Sequence, residues 1–389
     1  MQAASTRGGG VAGSAAKGDG DTLESGGYHR NTSHKPMLSG VAIKITSILV
    51  LIVTTVLILN QSSYPLEFFH NHNSFPGPSC ENSNADSSSF HQYTSRIPPS
   101  SPAKDEDMEL EKMLRGAAMK DNKTVIITTL NAAWSEPNSL FDLFLESFRV
   151  GNGTAHLLDH LMIVAYDKTA YERCEAAGLH CYAVTTEGID FSGEAFYLTE
   201  DYFKMMWRRI DLLRTILELG FDFVFTDTDI MWLRDPFKKF YKDGDFQISC
   251  DHYWLNYTDV NNFPNGGFNY VKSNNRTIEF YKFWYNAREY FPGKHDQDVL
   301  NMIKDNPFIS RIGLEFRFLD TTHFAGFCEP APSKTMDKVI TMHANCCIGI
   351  PNKMHDLTML IDDWKRYMAI PPSNRNSTNR SWTVPRICS

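Results

Sequence analysis

Two aspartates one residue apart, Asp227 and Asp229, leave an apolar run in "FVFTDTDIMWL". Carboxylates at i and i+2 beyond a strand end can face one crevice. Hard divalent cations such as Mg²⁺ or Mn²⁺ take oxygen ligands of this kind, with substrate phosphates completing the shell. A turn or helix-capping aspartate is the plainer alternative; the apolar residues on both sides of the pair favour the metal. A third ligand has to come from elsewhere in the chain. "KVITMHANCCIGIPNK" supplies His343 just after a strand-like run, followed by Gly349 and Lys353. Imidazole suits Mn²⁺, a glycine lets backbone approach phosphate, and an ammonium neutralises it. A lone histidine is commonly a satisfied structural group; the Asp pair and Lys353 make His343 the chosen ligand, ahead of His355.

Such residues need a scaffold that brings them together. "TVIITTL", "LMIVAY", "HCYAV", "FDFVFT" and "DFQISC" read as strands, and amphipathic segments between them read as helices. Alternation of this kind with continuously apolar strands predicts an α/β fold, a mainly parallel Rossmann-like sheet flanked by helices. Ligands of such sheets bind outside the carboxyl ends of the strands, where Asp227 and Asp229 fall. The helix "TEDYFKMMWRRIDLLRTILELG" is capped by Thr199 and stopped by Gly220, with Phe203, Met206, Ile210, Leu213 and Leu217 as its core stripe. Arg208 points away from that stripe. Arg209 sits on its flank, where an unpaired charge is costly, so it is expected to hold a phosphate or the acid pair. In "FPNGGFNYVKS", Asn265-Gly266-Gly267 reads as a turn. In "GKHDQDVLNMI", Asp296 stands where a helix cap would.

"GFDFVFTDTDIMWLRDPF", taken with the downstream His, Gly and Lys, resembles the signature of GT-A nucleotide-sugar glycosyltransferases. More closely it resembles the plant glycosyltransferase family 77 type, which carries a nucleotide-diphospho-sugar transferase domain. The resemblance spans roughly residues 122–370. It implies that Asp229 ligates Mn²⁺ and that Asp227 reaches the metal or the donor ribose. It implies that His343 completes the metal site, and that Gly349 to Lys353 meet the diphosphate. A basic residue of the long helix should contact the donor nucleotide, Arg209 first and Lys204 behind it. Asn265, Gly266 and Gly267 should line the donor-sugar pocket. Asp296 and Gln297 should face donor sugar and acceptor, with Asp298 the alternative carboxylate. Thr128, Thr129 and Asn131 should hold nucleobase and ribose. The implied reaction is retaining transfer of a pentose or galactose from a UDP-sugar to a cell-wall glycan or glycoprotein hydroxyl, with Mn²⁺ (or Mg²⁺) as cofactor. A carboxamide such as Gln297 is a poor nucleophile, so same-face attack is favoured.

The 389 residues are 42% hydrophobic and carry a net charge of −8, which speaks against nucleic acid as partner. Residues 1–37 read as a disordered cytosolic tail. Residues 38–60 read as a membrane anchor of about 20 apolar residues, residues 61–120 as a flexible stem, 121–370 as the GT-A domain and 371–389 as a C-terminal tail. Arg30, Lys35 and Lys44 precede or begin the apolar span, and no further Lys or Arg occurs until Arg96. The positive-inside rule then orients the chain as a single-pass type II protein with its catalytic domain lumenal. A cleaved signal peptide is the rival; the long preceding tail argues against it. Anchor, stem and lumenal domain are the layout of Golgi transferases. All eight cysteines follow the span, and Cys174 and Cys181, bracketing a short helix-to-strand turn, are the best pair. Their spacings do not make a zinc site. Sequons at Asn152, Asn256, Asn275 and Asn376 agree with a lumenal face. Two other classes compete: a transferase-like protein that binds the nucleotide sugar or a glycan without turnover, and a metal-dependent hydrolase. The filled metal and phosphate positions speak against the first, and the lack of ligands for a second metal against the other.

Overall fold

The apolar runs pair as their patterning requires. Among the described residues ten strands follow in chain order: β1 Thr124–Leu130, β2 Leu161–Ala165, β3 His180–Ala183, β4 Asp222–Thr226, β5 Ile230–Trp232, β6 Phe246–His252, β7 Phe263–Val271, β8 Phe316–Phe318, β9 Phe324–Gly326 and β10 Thr341–His343. This is a computed structural model, and it describes residues 102–184, 200–329, 335–375 and 381–388. The seven-stranded sheet has the order β3-β2-β1-β4-β7-β6-β8. All its pairings are parallel except those of β7, which runs against both β4 and β6. The expected mainly parallel sheet, a GT-A-like α/β fold, is therefore observed. A second sheet of order β5-β10-β9 stands beside it.

Both faces of the large sheet are covered, which is why its central strands are mostly apolar on both faces. Val125, Ile127, Phe223 and Phe225 pack on one side with Ile210, Leu213 and Leu217 of helix Glu200–Glu218 and with Trp284 of helix Asn275–Ala287. Ile126, Ile163 and Val224 face the other way, into a core with Phe144 and Phe148 of helix Leu140–Val150 and Trp364 of helix Ile350–Met368.

The folded unit extends past the expected 121–370 limits at both ends. Helix Pro102–Ala117, part of the expected stem, buries Leu110, Leu114 and Ala117 against the sheet. At the other end Trp382, Val384 and Cys388 are buried. The carboxylate of Asp356, itself fully buried, accepts the backbone N–H groups of Arg386, Ile387 and Cys388 at 2.7, 3.1 and 3.0 Å. Both segments look too polar for a core because each spends its few apolar residues on one contact face. Among the described residues no helix is long and apolar enough to cross a membrane, and the expected 38–60 span lies outside them, as do Thr199 and Asn376.

Among the described residues three disulfides close this unit: Cys174–Cys181, as expected, Cys328–Cys346 and Cys347–Cys388. The adjacent Cys346 and Cys347 thus belong to different bridges. One ties their loop to the segment after β9, the other to the chain terminus.

Replacing Asp356 removes the acceptor of three N–H groups, of which that of Cys388 is buried. Asp356→Ala is expected to lower unfolding free energy by about 2–4 kcal/mol in urea titration, with the C-terminal segment becoming protease-sensitive first.

Candidate active site

At the carboxyl ends of β1 and β4 lies a cleft of about 490 Å³. Strand β4 ends at Thr226, and the chain turns through Asp227 and Asp229 into β5. Strand β10 then pairs antiparallel with β5, His343 opposite Ile230, and the N–H of Ala344 bonds to the carbonyl of Asp229 at 3.1 Å. A histidine 114 residues downstream is thereby delivered to the acid pair. His343 Nε2 lies 3.2 Å from Asp229 Oδ1, and Lys353 Nζ lies 2.7 Å from Asp229 Oδ2. Lys353 belongs to the first turn of helix Ile350–Met368. That helix begins at Gly349, whose φ of 85° favours glycine.

The fit to a divalent cation is direct. One ligand atom each from Asp227, Asp229 and His343 lie within 4.8 Å of one another. Asp229 is 1% exposed, and its Oδ1 makes no aligned hydrogen bond. Burial opposes the charge of Asp229, but Lys353 and His343 outweigh it and hold the carboxyl well below its usual range. Burial pushes Asp227 upward, helped by repulsion from Asp229 and against the pull of Arg209. Burial also opposes the charged form of His343, yet the Asp229 carboxylate raises its pKa overall. Two acids that resist ionising together, beside an imidazole, form a donor set whose conflict a hard cation resolves.

The glycines read as a turn instead lie inside β7, a nine-residue strand. Gly267 is small for reasons of approach. A Cβ on Gly267 would stand 2.7 Å from both Asp227 Oδ2 and His343 Cε1. The carbonyl of Gly267 also accepts the N–H of Asp227 at 2.7 Å. Turn statistics point to Gly-Gly wherever it occurs; here a strand needs it to pass beneath the ligands.

Arg209 is 4% exposed. Its guanidinium bridges Asp227 at 3.0 Å and Asp296, and stacks over Phe225 with 4.7 Å to the ring centroid. Burial opposes its charge, but Asp296 and Asp227 overcome this and keep it firmly cationic. Asp296 is therefore not the helix cap; His295 holds that position, and Asp296 opens helix Asp296–Ile303 with its side chain given to Arg209. Gln297 is engaged at both ends. Its Oε1 accepts the N–H of Gly266 at 2.9 Å, and its Nε2 donates to Asp251 Oδ2 at 3.1 Å.

Thr129, Asn131, Arg209, Asp227, Asn265 and Gly266 all line the cleft, as do Gly267, Asp229, Asp296, Gln297, His343, Gly349 and Lys353. Three expected residues do not. Thr128 alternates to the buried face of β1 next to Thr129. Lys204 is exposed and pairs with Glu200 at 2.8 Å. Asp298 points to His295, 3.4 Å away, from the cleft's outside. His355 pairs with Asp356 and is likewise outside. Two residues went unread. Asp251, at the end of β6, accepts from Asn265 at 2.8 Å and Asn345 at 2.6 Å. The strand-end rule that found Asp227 would have found Asp251; Asn345 carries no signal beyond lying two residues after His343.

Such a cleft suits a nucleotide sugar held through a cation, and comparisons with known proteins point to the same class. A model of the nucleotide-diphospho-sugar transferase family matches residues 156–357. An uncharacterized protein of Arabidopsis thaliana, At4g15970, is 50% identical over 285 residues, 73% of this chain and 74% of that one. UDP-D-xylose:L-fucose alpha-1,3-D-xylosyltransferase 1 of Arabidopsis thaliana is 27% identical over 148 residues, 38% of each chain. UDP-galactose:fucoside alpha-3-galactosyltransferase of Dictyostelium discoideum is 36% identical over 72 residues, 17% of this chain and 10% of that one. The chain belongs to the nucleotide-diphospho-sugar transferase family and is a glycosyltransferase of the family 77 type.

Gly267→Ala forces a methyl group against Asp227 and His343, two members of the candidate metal cluster. Mn²⁺ affinity, read by calorimetry or by electron paramagnetic resonance of free Mn²⁺, is expected to fall at least about tenfold.

Proposed function

We propose that this protein is a metal-dependent retaining glycosyltransferase. In this reading it moves a pentose or galactose from a UDP-sugar to a glycan or glycoprotein hydroxyl. The observation that carries the proposal is the convergence of Asp227, Asp229, His343 and Lys353 at the strand ends of a nucleotide-sugar transferase domain. The partial relatives' names support the donor class, since each names a UDP-sugar and an alpha linkage. That linkage is what retention gives from an α-linked donor.

Asp227, Asp229 and His343 would hold Mn²⁺ or Mg²⁺, which when bound neutralises charge on the diphosphate leaving group. Lys353 places an ammonium beside that group, and the first residues of helix Ile350–Met368, its positive dipole end, line the same cleft. Gly349 removes the side chain that would keep phosphate from this backbone. The fixed charges need no reorganisation as the bond breaks. Thr129 and Asn131 border the end expected for nucleobase and ribose. Gly266 and Asn265 border the sugar. Arg209 holds Asp227 and Asp296 in place. Gln297, with its Oε1 already accepting from Gly266, positions Asp251 rather than attacking carbon, which favours same-face attack by the acceptor. In this arrangement the departing phosphate takes the acceptor's proton.

A Golgi lumenal location completes the proposal, with residues 38–60 as a type II anchor. Three disulfides suit an oxidising compartment, and the sequon residues Asn152 and Asn275 are exposed.

The test is UDP release and sugar transfer by the purified protein across UDP-galactose, UDP-xylose and UDP-arabinose, with Mn²⁺ or with chelator. Turnover should require the metal, fall at least about 100-fold in Asp229→Ala, and fall about 10- to 100-fold in Lys353→Ala. Saturable UDP binding with no sugar release would leave a binding protein instead. An inverted product anomer by NMR would end the retaining assignment.

A further inference from the structure

Ten large hydrophobic side chains stand exposed among the described residues, and five of them, Trp254, Leu255, Tyr257, Val260 and Phe263, fall between β6 and the first residue of β7. The connection is not loose. Asn262, fully buried, accepts the N–H of Trp254 at 2.7 Å and donates to the carbonyl of Asn256 at 2.7 Å. The Trp254 indole N–H is fixed on the carbonyl of Asn261 at 3.0 Å, while 59% of the residue remains exposed. Tyr257 stacks on Tyr241 with ring centroids 4.6 Å apart, and its carbonyl accepts the N–H of Phe318 at 2.8 Å. A braced loop thus presents aromatic rings to water, and an exposed apolar patch of this kind marks a binding surface.

Position says which one. Strand β6 is antiparallel to β7, which is antiparallel to β4, so β6 ends at the same edge of the sheet as β4. The loop springs from that edge, and the residues flanking it, Asp251 and Asn265, line the cleft. Ile348, 77% exposed, lines the same cleft from the other wall. Asp251 is half-buried, accepts from three side-chain amides and takes part in no ion pair among the described residues. Flat rings on a loop whose two flanks, Asp251 and Asn265, bring carboxylate and amide to the cleft match a sugar, which offers C–H faces and hydroxyls together.

We propose that residues 253–263 form the acceptor subsite, with a glycan ring seated on the Trp254 indole and a hydroxyl directed toward Asp251. This rests on the transferase reading, since the acceptor must enter where the sugar is delivered.

The experiment measures binding of arabino-, galacto- and xylo-oligosaccharides of two to six residues to the full protein loaded with UDP and Mn²⁺. Trp254→Ala and Trp254→Phe are compared with the unmodified chain. UDP affinity and sedimentation are read in each variant, so failure of the donor site shows separately as loss of UDP binding by the unmodified chain. At least one oligosaccharide series should bind, weaken at least about tenfold in Trp254→Ala and recover in Trp254→Phe. In transfer assays the loss should fall on acceptor KM rather than kcat. Unchanged oligosaccharide affinity in Trp254→Ala, or no binding of any series to a chain that binds UDP, overturns the proposal. So does a dimer that Trp254→Ala dissolves, since the patch then serves a second copy. An N-glycan found on Asn256 in protein from a secretory host also overturns it, because the chain's own sugar then covers the loop.

Discussion

Three residue pairs between β5 and β10 hold the site together. Ile230 faces His343, Met231 faces Met342 and Trp232 faces Thr341. The ladder starts directly after Asp229 and ends on His343, so the acid pair and the imidazole are neighbours by register rather than by loop chance. A slip of one residue would turn His343 to the opposite face and leave Asp229 buried without its partners. The buried Met342, on the opposite face of β10, makes such a slip costly, since it would leave its core contacts. Packing on the far side of the small sheet therefore sets the electrostatics on the near side.

That electrostatics is a chain of alternating signs. Lys353 meets Asp229, which meets His343; Asp227 meets Arg209, which meets Asp296. Each carboxylate in the cleft's floor has a cation or amide fixed against it, in surroundings where an unpaired charge is expensive. Lys353 lies on the helix that begins at Gly349, whereas Arg209 stands over Phe225 of β4. An anionic diphosphate and a sugar can thus be told apart along one cleft.

Much of this was legible beforehand because it obeys local rules. Apolar runs, the strand-end position of Asp227 and Asp229, and Arg209 on the flank of a helical stripe are all periodicity arguments, and each residue lies where periodicity puts it. Thr128 and Thr129 show the limit: the chemistry of the two side chains is the same, and only the sheet's alternation decides that Thr129 reaches the cleft. Gly266 and Gly267 were misread for a different reason. Adjacent glycines mark turns when backbone freedom is what matters, but at Gly267 the missing side chain leaves room for Asp227 and His343, a fact held in tertiary contact alone. Asp251 and Asn345 sit 94 residues apart and bond at 2.6 Å, and no pattern along the chain announces such a meeting. The buried ends, Leu110 with Leu114 and Trp382 with Val384, were hidden by the polar composition around them.

Arg209 has a consequence for how substitutions in this cleft must be interpreted. One guanidinium serves two carboxylates, Asp227 and Asp296, which come from different elements and are 69 residues apart. Removing either leaves the arginine's full charge to the other, so damage at the helix that carries Asp296 propagates to the Asp227 carboxylate on another element. Effects of single replacements at these three positions will not sum, and only a thermodynamic cycle over paired variants can apportion them.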